Sequence, residues 1–398
     1  MNKQDGTGNV DAAEKCRVLR VIARMNVGGP AIAVIALTQG LSPQRFENRT
    51  LIGSVGEGED DYLELKQIEL DAEVIPGLGR NIQATGDLRA LWALVKEIRA
   101  FRPRIIHTHT AKAGVLGRIA AMISGVRPRP KLVHSFHGHL LNGYFSPTKT
   151  RLVVWVERAL AWKTDQINSE GANVRDALLA HRIGAPSKYR VIVPGLDVPP
   201  GSDREAARKE FGVADSDLVV AFVGRLTKIK RPDRLVDVAR AVCARVPNAR
   251  FLILGDGDLR AETETRAGDI ADRMTFLGFR PDVGTILNAS DLVLLTSDNE
   301  GMPYSLIEAG LCGVPVVSTD VGSVSEVVVD GVTGRVVPLE VSALADATSE
   351  LLADPAVRIQ LGNAARIRCH EQFSTAAMVA RVAEGYEELM NPRGSISG

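Results

Sequence analysis

An α/β protein of two parallel-sheet domains is what this 398-residue sequence predicts, and three observations carry the prediction. Short runs rich in β-branched residues alternate with longer segments of helical period, as βαβ units require. The alternation stops once, at "PGLDVPPGSDREAARKEFGV" (194–213), where prolines, glycines and charges mark a linker, and then restarts. Residues suited to binding follow the ends of the runs, where ligands of open parallel sheets sit. The expected organisation is a disordered tail over 1–14, Rossmann-like domains over 15–195 and 196–375 facing across a cleft, and a terminal helix over 376–398.

In the first half the runs are "CRVLRVIA", "RTLIGSV", "AEVIPGL", "PRIIHTH", "KLVHSFHG" and "YRVIVPG", separated by patterned segments such as "DLRALWALVKEIRAF". The first run leads into a Gly28-Gly29 loop, whose glycines let backbone approach a ligand closely. Five of the seven histidines sit at two run ends, His107 and His109 in "HTHTAKAG", and His134, His137 and His139 in "HSFHGHLLNGYF". His-x-His places two rings on one strand face, but no acidic third ligand follows at a metal-binding spacing, so no metal is expected. One or two of these histidines are read as hydrogen-bonding a substrate, the rest as satisfied within the fold. The segment "TKTRLVVWVERALAWK" aligns Arg151, Trp155, Arg158 and Trp162 on one helical stripe. That stripe suits a lipid headgroup surface, or else a packed helix whose arginines snorkel.

In the second half the runs are "LVVAFVGRL", "ARFLILGDGD", "MTFLGF", "DLVLLTS", "PVVSTD" and "GRVVP". Arg225 directly follows the first of these and Lys230 comes five residues later, ahead of the helix opened by "RPDRLVDVARAV". Two cations at a strand tip beside a helix N-terminus suit a diphosphate; Lys228, Arg231 and Arg234 are read as solvated. "DLVLLTSDNEGMPYSLIEAGL" reads as strand, loop and helix, with Pro303 in the first helical turn. Glu300 then lies in the loop and Glu308 on the helix, two carboxylates able to accept paired hydroxyl hydrogen bonds from a sugar or ribose. The competing reading of Glu308 is a capping box with Ser305.

Composition narrows the class. Forty-eight basic and forty-eight acidic residues give zero net charge, which argues against a nucleic-acid binder. The balance conceals a split, since residues 1–195 hold 27 basic and 18 acidic side chains. Cys16, Cys243, Cys312 and Cys369 are scattered without paired spacing, which fits a reducing cytoplasm. The polar N-terminus and the lack of long apolar stretches give neither a leader nor a membrane span. Neither "VIARMNVGGPAIAVIAL" nor "LGDGDLR" completes G-x-G-x-x-G, which disfavours a nicotinamide oxidoreductase.

Taken in series, these motifs resemble the retaining glycosyltransferases of family 4, which have the GT-B fold. The likeness runs from Gly28-Gly29 to "EQFSTAAMVARVAEGYEELM" and is most specific at E-x7-E, met by Glu300 and Glu308 in "EGMPYSLIEAG". It implies a donor-binding set of Gly28, Gly29, Arg225, Lys230, Glu300, Gly301, Met302, Pro303 and Glu308. Within that set Glu308 would hold the nucleotide ribose and Glu300 the donor sugar, while Arg225 and Lys230 would grip the diphosphate. His137 matches the family's first-domain histidine near the donor sugar, and the catalytic group becomes His137, Arg225, Lys230 and Glu300. The resemblance also implies an acceptor-side first domain, a nucleotide-sugar-binding second domain and a C-terminal helix crossing back to the first. The chain departs from the family with "INSEGANVRD", "EAG" and variable Tyr304 and Ser305.

The expected activity is metal-independent, cofactor-free transfer of a sugar from a UDP- or GDP-sugar, with retention. The basic first half and the Arg/Trp stripe point to a phosphate-bearing or lipid-linked acceptor, such as a cell-surface polysaccharide precursor, met at the inner face of an anionic membrane. The alternatives are a nucleotide-sugar epimerase using the same pocket, separated by product analysis without acceptor, and a nucleotide-sugar-binding protein without catalysis.

Overall fold

The computed structural model describes residues 15–26, 28–56, 61–79, 81–137, 147–199 and 201–391. The expected tail over 1–14, His139 and the segment "LLNGYFS" lie outside the described residues.

Two sheets organise the chain. The first comprises β1 (Cys16–Ile22), β2 (Phe46–Ile52), β3 (Ala72–Val74), β4 (Ile105–His109), β5 (Lys131–Phe136), β6 (Gln166–Ser169) and β7 (Tyr189–Val191), in the order β3-β2-β1-β4-β5-β6-β7. The second comprises β8 (Leu218–Val223), β9 (Ala249–Leu254), β10 (Met274–Gly278), β11 (Leu292–Leu295), β12 (Val316–Thr319) and β13 (Gly334–Val337), ordered β10-β9-β8-β11-β12-β13. β1 pairs in parallel with β2 and β4, and β8 with β9 and β11. Each sheet therefore reverses its strand order once, beside its first strand, which is the doubly wound Rossmann pattern.

The sequence forms these strands because both faces are covered. Val219, Val220, Ala221 and Phe222 in β8 are fully buried, as continuous apolar runs in parallel sheets should be. The helix Pro232–Arg245 begins on proline, carries Asp233 in its first turn, and buries Leu235, Val236, Val238, Ala239 and Val242 against this sheet. A separate core, with Leu19, Val21, Leu94, Ile98 and Ile106, fills one face of the first sheet. Twelve of the thirteen strands follow the runs read from sequence; β6 adds one, because Gln166, Asn168 and Ser169 give it no apolar signature.

Contacts divide the chain into two compact units. One takes the chain up to Ser135, with Val156–Ile167 and everything from Gly385 onward; the other takes Phe136–Trp155 and Asn168–Glu384. The helix Thr375–Met390 thus ends in the first unit. There the Tyr386 hydroxyl lies 2.6 Å from His107 Nδ1, and its ring packs edge-on against Phe46 at 5.9 Å.

Candidate active site

The order of the second sheet reverses between β8 and β11, and the loops leaving these two strands meet through side chains. Lys230 sits in a 3-10 turn (Lys228–Lys230) beyond β8, and Glu300 lies beyond β11. Lys230 Nζ donates to Glu300 Oε1 at 2.5 Å, and Ser297 Oγ donates to the same oxygen at 2.5 Å. Thr296 Oγ1 to the Lys230 carbonyl (2.9 Å) and the Asp298 amide to the Ile229 carbonyl (2.9 Å) tie the two loops together. Glu300 is only 7% exposed, and both of these bonds fall on its Oε1. Arg225, two residues past β8, is exposed, and its guanidinium has no ion pair or hydrogen bond among the described residues.

Two glycines set these positions. Gly322 has φ +54°, and a Cβ there would fall 1.8 Å from the Glu300 carbonyl oxygen. Only glycine allows that approach in the left-handed region, and the neighbouring Ser323 amide donates to the same carbonyl at 3.3 Å. Gly255, in "LGDGDLR", has φ +132°, and a Cβ there would lie 2.0 Å from the Gly224 carbonyl oxygen, so this motif braces the loop bearing Arg225.

Gly301, Met302 and Pro303 connect Glu300 to the helix Tyr304–Leu311, with Met302 and Pro303 buried. Pro303 occupies the N-cap rather than the first turn, and no side chain caps this helix. The Ser305-x-x-Glu308 capping box is therefore not formed: Ser305 is already the second helical residue, and it is buried. Glu308 is half-buried one turn beyond Tyr304. Burial raises the Tyr304 phenol well above its ordinary value, and the Glu170 and Glu308 carboxylates add to the rise. Burial and then Glu308 push the Cys312 thiol up to about 11.

His137 immediately follows β5, and Glu170 immediately follows β6. His137 Nδ1 lies 2.8 Å from Glu170 Oε1, both side chains being largely buried; the carboxylate accepts, so Nδ1 carries the proton. Other histidines serve the fold. His107 bonds Tyr386 and, at 2.7 Å, Ser135, while His134 Nδ1 meets Thr108 Oγ1 at 2.8 Å. The His107 and His109 rings stack at 4.1 Å on one face of β4, and among the described residues no group of three His, Cys, Asp or Glu is placed to hold a metal.

Lys230, Glu300, Gly301, Met302, Pro303, Glu308, Arg225 and His137 all belong to the second unit, Gly28 and Gly29 to the first. Gly28 caps and Gly29 opens the helix Gly29–Gly40, directly after the strand-order reversal of the first sheet. Sequence reasoning missed Ser297, Glu170, Gly322 and Tyr304. "INSEGANVRD" and "TDVGSVSE" contained two of them, Glu170 and Gly322, without a local pattern that pointed to a partner.

Two expectations need correction. Arg231 and Arg234 are not solvated: Arg231 is bidentate on Asp233 and also bonds Asp298, and buried Arg234 donates to the Thr296 carbonyl at 2.7 Å and to Asp298 at 2.8 Å. These arginines buttress the β11 loop through Thr296 and Asp298. The Arg/Trp stripe, in turn, is not the packed face of its helix (Pro147–Lys163). Val154, Glu157, Leu160 and Ala161 are buried, whereas Trp155 and Trp162 are 68% and 75% exposed beside exposed Arg151 and Arg158.

Two Rossmann sheets, with an ion-paired glutamate eight residues ahead of a second one at the reversal point, are the arrangement of a GT-B glycosyltransferase. Family models agree: Glycosyltransferase Family 4 matches residues 27–198 and Glycosyl transferases group 1 matches residues 203–368. The chain belongs to this glycosyltransferase family. It is 27% identical over 83% of its length to the UDP-Gal:alpha-D-GlcNAc-diphosphoundecaprenol alpha-1,3-galactosyltransferase of Escherichia coli, covering 86% of that protein. It is 30% identical to the D-inositol 3-phosphate glycosyltransferase of Corynebacterium aurimucosum, over 72% of each chain. Among solved structures it superposes on Anabaena Alr3699/HepE in complex with UDP, with a TM-score of 0.78 and 26% identity, covering 94% of this chain and all of that one.

Proposed function

We propose that the protein is a retaining glycosyltransferase that moves a sugar from a UDP-sugar to a phosphate-bearing acceptor, without a metal. The observation that carries this reading is the Lys230–Glu300 pair at the strand-order reversal, with Arg225 on the same loop after β8 making no ion pair among the described residues. The likeness to HepE, solved with UDP and with UDP-glucose, supports a uridine donor.

In this scheme Arg225 and Lys230 hold the diphosphate, and Glu300 Oε2 accepts hydrogen bonds from the sugar hydroxyls. The C1–O bond to the diphosphate breaks with its electron pair leaving on oxygen, and the two cations stabilise that developing charge. The acceptor oxygen bonds to C1 from the face the diphosphate departs, and its proton passes to the departing phosphate oxygen. Glu300 acts as a hydrogen-bond acceptor rather than a nucleophile, consistent with Oε1 being held by Lys230 and Ser297. His137, kept in one tautomer by Glu170, serves the donor sugar. Glu308 takes the ribose.

The acceptors named for the relatives, a diphosphoundecaprenol-linked sugar and inositol 3-phosphate, both bear phosphate. Among the described residues no helix is long and apolar enough to cross a membrane. Exposed Trp155 and Trp162 between Arg151 and Arg158 would instead rest on an anionic inner-membrane surface.

Thermal-shift screening of UDP-, GDP- and ADP-sugars tests the donor, since a ligand binding only the native state raises the melting temperature. A UDP-sugar is expected to give the largest shift, and its hydrolysis or transfer product should keep the anomeric configuration. No shift with any of them, or an inverted product, would overturn the reading.

A further inference from the structure

One buried polar atom beside Glu308 remains without a partner. The Tyr304 hydroxyl is inaccessible to solvent and makes no hydrogen bond among the described residues. Buried hydroxyls nearly always have a partner, and a native exception calls for a cause. Its surroundings indicate one. Tyr304 opens the helix Tyr304–Leu311, so Glu308 stands one turn away on the same face. Glu170, which holds His137, is the other carboxylate close enough to act on the phenol. Burial and the two carboxylates keep the phenol protonated, and therefore a donor, throughout the ordinary pH range.

We infer that the Tyr304 hydroxyl is a binding group for the carbohydrate of the donor, a specificity contact set between Glu170 and Glu308. The chemistry selects this class of ligand. Ionised carboxylates only accept hydrogen bonds, whereas a phenol needs an acceptor. A ligand that satisfies all three must carry several hydroxyls, each able to donate to a carboxylate while its oxygen accepts from the phenol. A sugar or ribose ring does this; an aliphatic or purely anionic group does not. The inference deepens the donor reading above and rests on it. This contact tunes which donor the chain prefers.

The test is Tyr304→Phe, which removes one oxygen and keeps the ring. Calorimetric titration with UDP-glucose and UDP-galactose is expected to show about a five- to tenfold weaker Kd for whichever the wild type binds better, as for loss of one net hydrogen bond. The ligand-free variant should melt at the same temperature or higher, because an unpartnered buried hydroxyl has been removed. A lower melting temperature with unchanged Kd would mean that the hydroxyl serves only the fold, through a buried water, and would overturn the inference while leaving the donor reading intact. Failure of the wild type itself to bind any UDP-, GDP- or ADP-sugar would overturn both.

Discussion

Replacing Lys230 by alanine separates charge stabilisation from architecture. The ammonium lies 2.5 Å from a carboxylate that is 7% exposed, so its removal strands a nearly buried negative charge with, among the described residues, the Ser297 hydroxyl as its remaining side-chain donor. Breaking a fully buried pair costs about 3–5 kcal/mol. Lys230 keeps about a fifth of its side-chain surface in water, so a cost of about 2–3 kcal/mol in stability is expected after discounting for screening. The catalytic loss should be larger in kind: removing one donor to a developing charge lowers kcat by about 10²–10³-fold, with a smaller change in the KM for the donor. Initial rates at varied donor concentration, with thermal midpoints on the same samples, give both quantities. Adding Glu300→Gln removes the stranded charge and should restore the midpoint but not the rate. A Lys230→Ala rate within about threefold of wild type would refute the role of Lys230. Recovery of rate together with stability in the double variant would show that the loss had been one of folding.

Other perturbations have equally definite outcomes. Glu157→Ala should lower stability by about 3–5 kcal/mol in urea melts, because it leaves buried Arg118 without its bidentate partner at 2.8 and 2.9 Å; Arg118→Met with Glu157→Leu should recover most of it. Gly322→Ala should cut activity at least about tenfold, since the new methyl must displace the Glu300 carbonyl and the left-handed backbone adds about 1 kcal/mol of strain. Burial pushes the Cys312 and Cys369 thiols up to about 11, so at pH 8 both should alkylate more than about tenfold slower than an exposed model thiol, as mass spectrometry would show. Vesicles rich in anionic lipid should retain the protein at low salt and lose it when Trp155 and Trp162 are both replaced by alanine, and equal retention of that variant would place the contact elsewhere.

What the sequence made legible was whatever is local. Buried parallel strands are continuous apolar runs, so "LVVAFV" and "DLVLL" announced themselves, and the two glutamates were visible because both lie in one short strand-loop-helix segment. Polar β6 had no such signature. Pairings across distant loops were equally invisible: nothing near Lys230 says that its partner lies 70 residues on, and Arg231 and Arg234 resembled solvated cations until Asp298 was folded beside them. The Ser305 capping box failed for a one-turn reason, since the helix starts at Tyr304 and leaves Ser305 inside it. The Arg/Trp stripe matched helical periodicity, but periodicity states which residues share a face and not whether that face meets protein or water.

If Arg225 and Lys230 hold the diphosphate as proposed, the Lys230–Glu300 pair also governs what an idle enzyme attracts. A pocket presenting two bare cations would retain any small oxyanion, inorganic phosphate and sulfate included, and would need to shed it at every turnover. With one cation already neutralised by a carboxylate, such an ion meets a single arginine and leaves quickly, whereas a ligand that also brings hydroxyl donors to occupy the carboxylate can draw the lysine over and stay.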